Sequence, residues 1–297
     1  MTAITLLDGG MGQELIRRAG DAPTPLWSTQ VMMDRPGLVQ QVHEDYFAAG
    51  ATVATTNTYA IHRDRLRRAG IEDRFEALHH AALAEAQAAR GDRENLRIAG
   101  SIGPLAASYR PDIHPAHADA VPLYAEVAQI LAPGVDLFIC ETVASLAHAR
   151  AALEGARTTG KPVWLALTLD DEDGTRLRSG EPVDEALAIA QDGATAILAN
   201  CSAPEAMPAA LMRFARTTLP FGAYANGFTR ITKEFLQDAP TVDALQPRRD
   251  MGPEIYASHV MAWVQMGATI VGGCCETGPA HIAEIARRLR VAGYTIT

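Results

Sequence analysis

Three of the four cysteines stand in short polar or glycine-rich contexts: Cys201 in Asn-Cys-Ser, and the adjacent Cys274 and Cys275 in Gly-Gly-Cys-Cys-Glu-Thr. Thiolates are soft ligands, and three of them bind a zinc ion while leaving its fourth position open to a substrate, with Zn–S bonds of ~2.3 Å. Zinc is therefore the expected cofactor, provided the fold brings these distant positions together. Cys140, inside the apolar Phe-Ile-Cys run, reads instead as a buried core residue, the usual fate of a free cysteine. Four cysteines in 297 residues, two of them adjacent, make a poor disulfide framework and favour a reducing, cytoplasmic setting.

The elements that would position these thiols recur along the chain. β-rich runs at 4–8, 52–59, 96–103, 136–142, 163–170, 195–202, 221–227 and 269–277 alternate with amphipathic helical stretches at 36–50, 73–90, 119–132, 145–159, 183–192, 204–218, 254–266 and 279–292. Eight strands each followed by a helix predict a (β/α)8 TIM barrel, whose active site lies at the C-terminal ends of the strands. Cys201 ends the sixth run and Cys274 with Cys275 the eighth, so all three face one mouth. Successive residues of a regular strand point to opposite faces, so a bulge or bend at Gly272 and Gly273 is expected to turn both sulfurs inward. A doubly wound dinucleotide fold is the main alternative. The first turn, Leu-Leu-Asp-Gly-Gly-Met-Gly, supplies Gly10 and Gly12 as G-x-G, but Leu15 stands where a third glycine belongs. No composition break divides the chain, so residues 1–297 are expected to form a single domain.

Bulk properties narrow the function classes. Hydrophobic residues make up 48% and charged residues 21%, with mean hydropathy −0.01, which describes a globular protein with a large core. A net charge of −9 argues against a nucleic-acid partner. The densest basic run, Arg63, Arg65, Arg67 and Arg68, is interrupted by Asp64 and reads as a solvated helix face. The N-terminus has no basic leader, and no run approaches the ~18 apolar residues of a membrane span.

Together, DGGMGQEL (8–15), TTNTY (55–59), GSIGP (100–104), ET (141–142), NCS (200–202) and GGCCET (272–277) resemble the homocysteine S-methyltransferase family over essentially the whole chain. The resemblance implies a zinc-dependent enzyme of methionine biosynthesis, with the metal held by Cys201, Cys274 and Cys275 and homocysteine sulfur as a further ligand. It also points to Asp8 and Glu141 as partners of the amino acid's ammonium group. Paired anions at strand ends suit that task, and capping of a following helix is the structural alternative. Asn200 would orient the metal loop or satisfy backbone groups beside it. One departure falls at the seventh strand, where Tyr-Ala-Asn-Gly replaces the relatives' Tyr-Pro-Asn; Tyr224 and Asn226 are kept and Ala225 replaces the proline. The length leans toward the shorter enzymes that use S-methylmethionine or S-adenosylmethionine rather than betaine.

For a sulfonium or quaternary ammonium donor the leaving group is neutral, so no general acid is needed. Aromatic faces recognise such a cation, and Trp27, Tyr59 and Tyr224 lie in loops or strand ends on the mouth side, where packing is the alternative reading. A Schiff-base aldolase finds no suitable lysine, since Lys161 precedes the fifth strand and Lys233 lies beyond the seventh. A hydrolase using Glu141 and Asp170 leaves the cysteines without a purpose. A phosphate-binding barrel, a zinc or thiol redox sensor, and methyl transfer to another thiol or selenol are the remaining alternatives. The sequence specifies no oligomeric state.

Overall fold

Alternation along each strand divides the apolar residues into two sets. Leu137 and Ile139 of one strand, with Ala196 and Leu198 of another, join Leu7, Val53, Ala99, Trp164, Ala166 and Ile270 in one buried cluster, while their neighbours Phe138, Cys140, Ile197 and Ala199 join a larger one with the helices. A strand buried on both faces in this way belongs to a parallel sheet wrapped by helices. The computed structural model describes residues 2–20, 24, 26–229, 231, 236 and 245–297. Lys233 lies outside the described residues.

Eight strands follow the expected order: β1 (Ala3–Leu6), β2 (Val53–Thr55), β3 (Arg97–Ile102), β4 (Leu137–Val143), β5 (Val163–Leu167), β6 (Ala196–Asn200), β7 (Phe221–Tyr224) and β8 (Ile270–Val271). Every pairing is parallel, running β2-β3-β4-β5-β6-β7-β8-β1. A parallel bridge between Leu7 and Val53, with Thr52 N–H donating to Leu6 O (2.7 Å), brings β1 against β2 and closes the barrel. The smaller cluster fills its interior. A ninth strand, β9 (Thr295–Ile296), which the sequence pattern does not announce, pairs with β1 at Ala3.

The eight expected helices are present as α3 (Leu38–Ala49), α5 (Phe75–Arg90), α6 (His117–Leu131), α7 (Leu146–Arg157), α8 (Val183–Gln191), α9 (Met207–Phe214), α10 (Pro253–Gln265) and α11 (Pro279–Val291). Local chemistry sets their ends: Ser145 Oγ accepts from His148 N–H to cap α7, and Gly50, at φ 113°, ends α3 where a side chain would strike Ala286. Three further short helices, α1 (Met11–Ala19), α2 (Ser28–Asp34) and α4 (Arg63–Arg68), sit in the loops after β1 and β2 and shape the mouth. No helix among the described residues is long and apolar enough to cross a membrane.

Apart from β4, which runs one residue past its expected end to Val143, the strands stop short at their C-terminal ends of where the sequence runs indicate. The difference is largest at 269–277, where β8 stops at Val271 and the cysteine pair lies in a turn rather than a bulged strand. The glycines there serve close approach: a side chain on Gly272 would meet Leu7 Cβ at 2.5 Å, and one on Gly273 would meet Thr277 Oγ1 at 2.0 Å. The expected bend therefore exists, but as a chain leaving the sheet.

Candidate active site

The loop after β1 and the cysteine turn are interlocked. Gly273 N–H donates to Asp8 O (3.0 Å), Gly10 N–H donates to Thr277 O (2.8 Å), and side chains on Gly9 or Gly10 would overlap Thr277 O or Cys274 O. The Asp-Gly-Gly motif thus serves the close packing of Asp8 against the cysteine turn. Cys274 N–H also donates to Ala225 O (3.0 Å), and Tyr256 hydroxyl donates to the same carbonyl (3.1 Å). These bonds stitch the end of β7 in place around Ala225.

At this junction Cys201 Sγ stands 2.7 Å from Cys274 Sγ and 3.9 Å from Cys275 Sγ, with 4.0 Å between the adjacent pair. Two of these separations match the ~3.8 Å edge of a tetrahedron built on 2.3 Å zinc–sulfur bonds, and the third is shorter. All three sulfurs lie within 4.8 Å of one another, so the donor set fits a soft divalent metal. Cys201 has φ 50°, a strained value for a non-glycine residue that turns its side chain out of strand alternation toward the pair. Hydrogen bonds from Cys274 and Cys275 hold the Cys201 thiol well below its usual pKa, while giving those hydrogen bonds to Cys201, together with burial and the Cys201 charge, pushes the other two up. Cys140 is fully buried in the outer cluster, its Sγ 3.5 Å from Ala152 O.

Two carboxylates stand beside the thiols. Asp8, only 2% exposed, accepts Thr55 N–H (2.7 Å) and the Thr55 hydroxyl (3.0 Å). Glu141 continues the inward alternation of Leu137 and Ile139; it accepts the Ser101 hydroxyl and, at 3.2 Å, the Tyr224 hydroxyl. Burial pushes Asp8 up to about 8 and Glu141 up to about 7, with the Glu141 charge adding to the Asp8 shift and Cys201 adding to that of Glu141. Two buried carboxylates lining one cavity, neither in a salt bridge among the described residues, are chemically set to receive a cation.

The thiols and carboxylates form the floor of a cavity of about 650 Å³, whose walls include Trp27, Tyr59 and Tyr224. Trp27 and Tyr59 meet edge to face, ring centroids 6.2 Å apart. Gly12 makes room for the indole: a side chain there would sit 2.2 Å from Trp27 Cζ2. The G-x-G spacing of Gly10 and Gly12 therefore serves packing. Tyr59 hydroxyl bonds Ser108 Oγ (2.7 Å).

Eight of the nine sequence-selected residues line this cavity; Asn200 does not. It is fully buried, accepts Thr142 N–H at 3.0 Å and donates to Thr142 Oγ1 at 3.3 Å, bracing the end of β4 behind Glu141. Asp170 binds loop amides of Glu172 and Asp173, and Lys161 donates to Val135 O, both outside the cavity wall. Sequence reasoning missed Tyr109, whose hydroxyl donates to Cys201 Sγ (3.1 Å), and Arg178, stacked 5.3 Å over the Tyr109 ring and paired with Asp171. The position of Tyr109 in the loop following Gly-Ser-Ile-Gly-Pro, at the mouth end of β3, was the available signal.

The fold is a closed parallel barrel with three thiols converging at its mouth, close enough together to hold one metal ion. The family model described as Homocysteine S-methyltransferase matches residues 5–289. A maize protein named homocysteine S-methyltransferase 4 is 30% identical, covering 97% of this chain and 90% of the relative. A selenocysteine methyltransferase of Astragalus bisulcatus is also 30% identical, over 94% and 90%. The crystal structure of the Escherichia coli homocysteine methyltransferase MmuM in its metallated form superposes with a TM-score of 0.80 at 29% identity, covering 96% of each chain. The chain belongs to the homocysteine S-methyltransferase family.

Proposed function

We propose that the protein transfers a methyl group from a small sulfonium or quaternary ammonium donor to homocysteine, forming methionine, in a reaction that depends on zinc held by Cys201, Cys274 and Cys275. S-methylmethionine and S-adenosylmethionine are the favoured donors and betaine the third. The observation that carries this reading is the meeting of three thiols with the buried pair Asp8 and Glu141 on one cavity floor. Bound zinc would supply Lewis-acid stabilisation of the homocysteine thiolate, which is a minority species at neutral pH when free.

The chain's own residues do the rest. Asp8 and Glu141 take the ammonium of the amino acid and so fix the reach of its side chain toward the thiol cluster. Thr55, Ser101 and Tyr224 hold the two carboxylates in orientation. Tyr109 donates to Cys201 Sγ, which restrains the sulfur and draws off part of its charge. Trp27 and Tyr59 present aromatic surface to a cationic donor without competing as nucleophiles. The methyl carbon breaks its bond to the onium atom as it bonds the homocysteine sulfur, and the donor leaves as a neutral thioether or amine that needs no proton. Alignment in the enclosed cavity supplies the rate, worth up to ~7–11 kcal/mol in ideal cases.

The test is to assay zinc-loaded, reduced protein with homocysteine and each donor separately, reading methionine by mass spectrometry, with selenocysteine as a parallel acceptor. Methionine from at least one donor is expected; none from any donor overturns the reading. The 2.7 Å approach of Cys201 and Cys274 favours a second reading, a thiol redox sensor. Methionine formation excludes that as the sole function.

A further inference from the structure

The basic run Arg63, Arg65, Arg67 and Arg68 was expected to be a solvated helix face, and three of its members are. Arg63 pairs with Glu126, Arg67 with Glu72, and Arg68 with Asp64. Arg65 turns inward instead and lines the main cavity. Its Nη2 donates to Pro104 O (3.2 Å), and among the described residues its buried Nε has no acceptor and no carboxylate pairs with it. The guanidinium lies 5.9 Å from the centre of the Tyr59 ring. Desolvation draws its pKa down, whereas the salt-bridging bonds of Arg63 and Arg67 raise theirs. Holding a half-buried cation without a counterion is unfavourable for the empty protein, so its complement is expected to come from a ligand.

Charge is segregated across the cavity. Among the described residues, the acidic ones in its wall are Asp8 and Glu141, on the floor beside the thiols. The α4 segment supplies the rim, where exposed Arg68, Ala69 and Arg74 surround the less exposed Arg65. Among the rim guanidinium groups, Arg68 and Arg110 already have carboxylate partners and Arg74 donates to Met33 Sδ. Trp27 and Tyr59 line the same cavity, in edge-to-face contact with each other, and the Tyr59 ring lies beside the Arg65 guanidinium.

We propose that Arg65 is a carboxylate-binding subsite for the methyl donor, so that the enzyme selects zwitterionic donors: an onium centre against the Trp27 and Tyr59 faces and a carboxylate on Arg65. The inference rests on the methyltransferase reading above and sharpens it. Donors with a carboxylate near the onium atom are accepted, and onium compounds without one are weak substrates. A guanidinium presents paired N–H donors that match a carboxylate, and the bonds formed are charge-assisted.

The experiment compares dimethylsulfonioacetate with trimethylsulfonium as donors, at saturating homocysteine, in the wild type, Arg65→Met and Arg65→Lys. Arg65→Met should raise KM for dimethylsulfonioacetate about 10- to 100-fold, leave the homocysteine KM within twofold, and cause no fall in kcat/KM for trimethylsulfonium, which has no carboxylate to lose and is relieved of a nearby positive charge; Arg65→Lys should recover part of the loss. Equal losses with both donors, or a rise confined to the homocysteine KM, overturn the proposal. Calorimetry on the wild type gives a readout independent of turnover, using two uncharged-headed probes, 3,3-dimethylbutanoate and 3,3-dimethylbutanamide. The carboxylate should bind at least about tenfold tighter, and Arg65→Met should abolish that preference. Equal binding of the two probes overturns the subsite. Absence of methionine from every donor would overturn the methyltransferase reading instead, and the calorimetric pair would still decide the role of Arg65.

Discussion

Asp8→Asn separates the charge of the floor from its shape. The substituted amide still accepts Thr55 N–H and offers a donor to the Thr55 hydroxyl, so the two bonds at 2.7 and 3.0 Å have replacements. What disappears is the anion facing the substrate ammonium. A hydrogen bond to a charged group contributes about 1.5–3 kcal/mol, so affinity for the amino acid should fall about 10- to 150-fold. Methionine is the suitable probe, because it carries the same amino-acid end and no ionisable thiol. In the wild type, methionine affinity should rise as pH climbs through about 7 and about 8, the values to which Glu141 and Asp8 are pushed, since bound ammonium favours the ionised pair. The free protein should show the opposite trend. Its buried carboxylates keep their protons above the unfolded-state values of 4.5 and 3.8, so the unfolded chain binds fewer protons and stability declines from about pH 4 through about pH 8. Asp8→Asn should flatten both curves, measured by calorimetric titration and by thermal melts of ligand-free protein. Unchanged methionine affinity in a folded variant, or pH curves identical to the wild type, would refute the assignment of Asp8 to the ammonium.

Gly12→Ala has two opposed effects. Within α1, alanine is favoured by about 1 kcal/mol. Its Cβ would nevertheless sit 2.2 Å from a rigid indole carbon, and overpacking of this kind costs about 1–3 kcal/mol. The variant should have a Tm no higher than the wild type, altered tryptophan fluorescence and a raised donor KM; a higher Tm with unchanged fluorescence would contradict the packing argument. Tyr109→Phe removes the donor to Cys201 Sγ and should weaken zinc affinity about tenfold in competition with a chromophoric chelator. Unchanged affinity would reduce Tyr109 to packing.

The barrel was legible because its signal is repeated: eight alternations of β-rich run and amphipathic helix agree on one answer. The thiols were legible because a glycine-preceded cysteine pair after the eighth strand and a lone cysteine after the sixth suggest one shared partner, a metal. Asn200 was harder to place, since its alternation along β6 puts it inside the barrel while the bond to Thr142 aims it away from the cavity. Positions in turns escaped the strand pattern. Cys201 and Thr142 adopt φ values of 50° and 57°, and residues 272–277 leave the sheet, so period-two alternation could not place them. Arg65 was hidden by composition: it sits in a run of four arginines, and only tertiary packing distinguishes the one that has no acidic partner among the described residues.

The central claim is that Cys201, Cys274 and Cys275 together hold one zinc ion on which methyl transfer depends. Zinc content by mass spectrometry, measured on protein purified under reducing conditions alongside methionine formation, tests it most directly. One zinc per chain is predicted for the wild type and for Cys140→Ala, and loss of both zinc and activity for Cys201→Ala, Cys274→Ala and Cys275→Ala. Full zinc occupancy in any folded variant of those three, or methionine formed by zinc-free protein, would contradict the account.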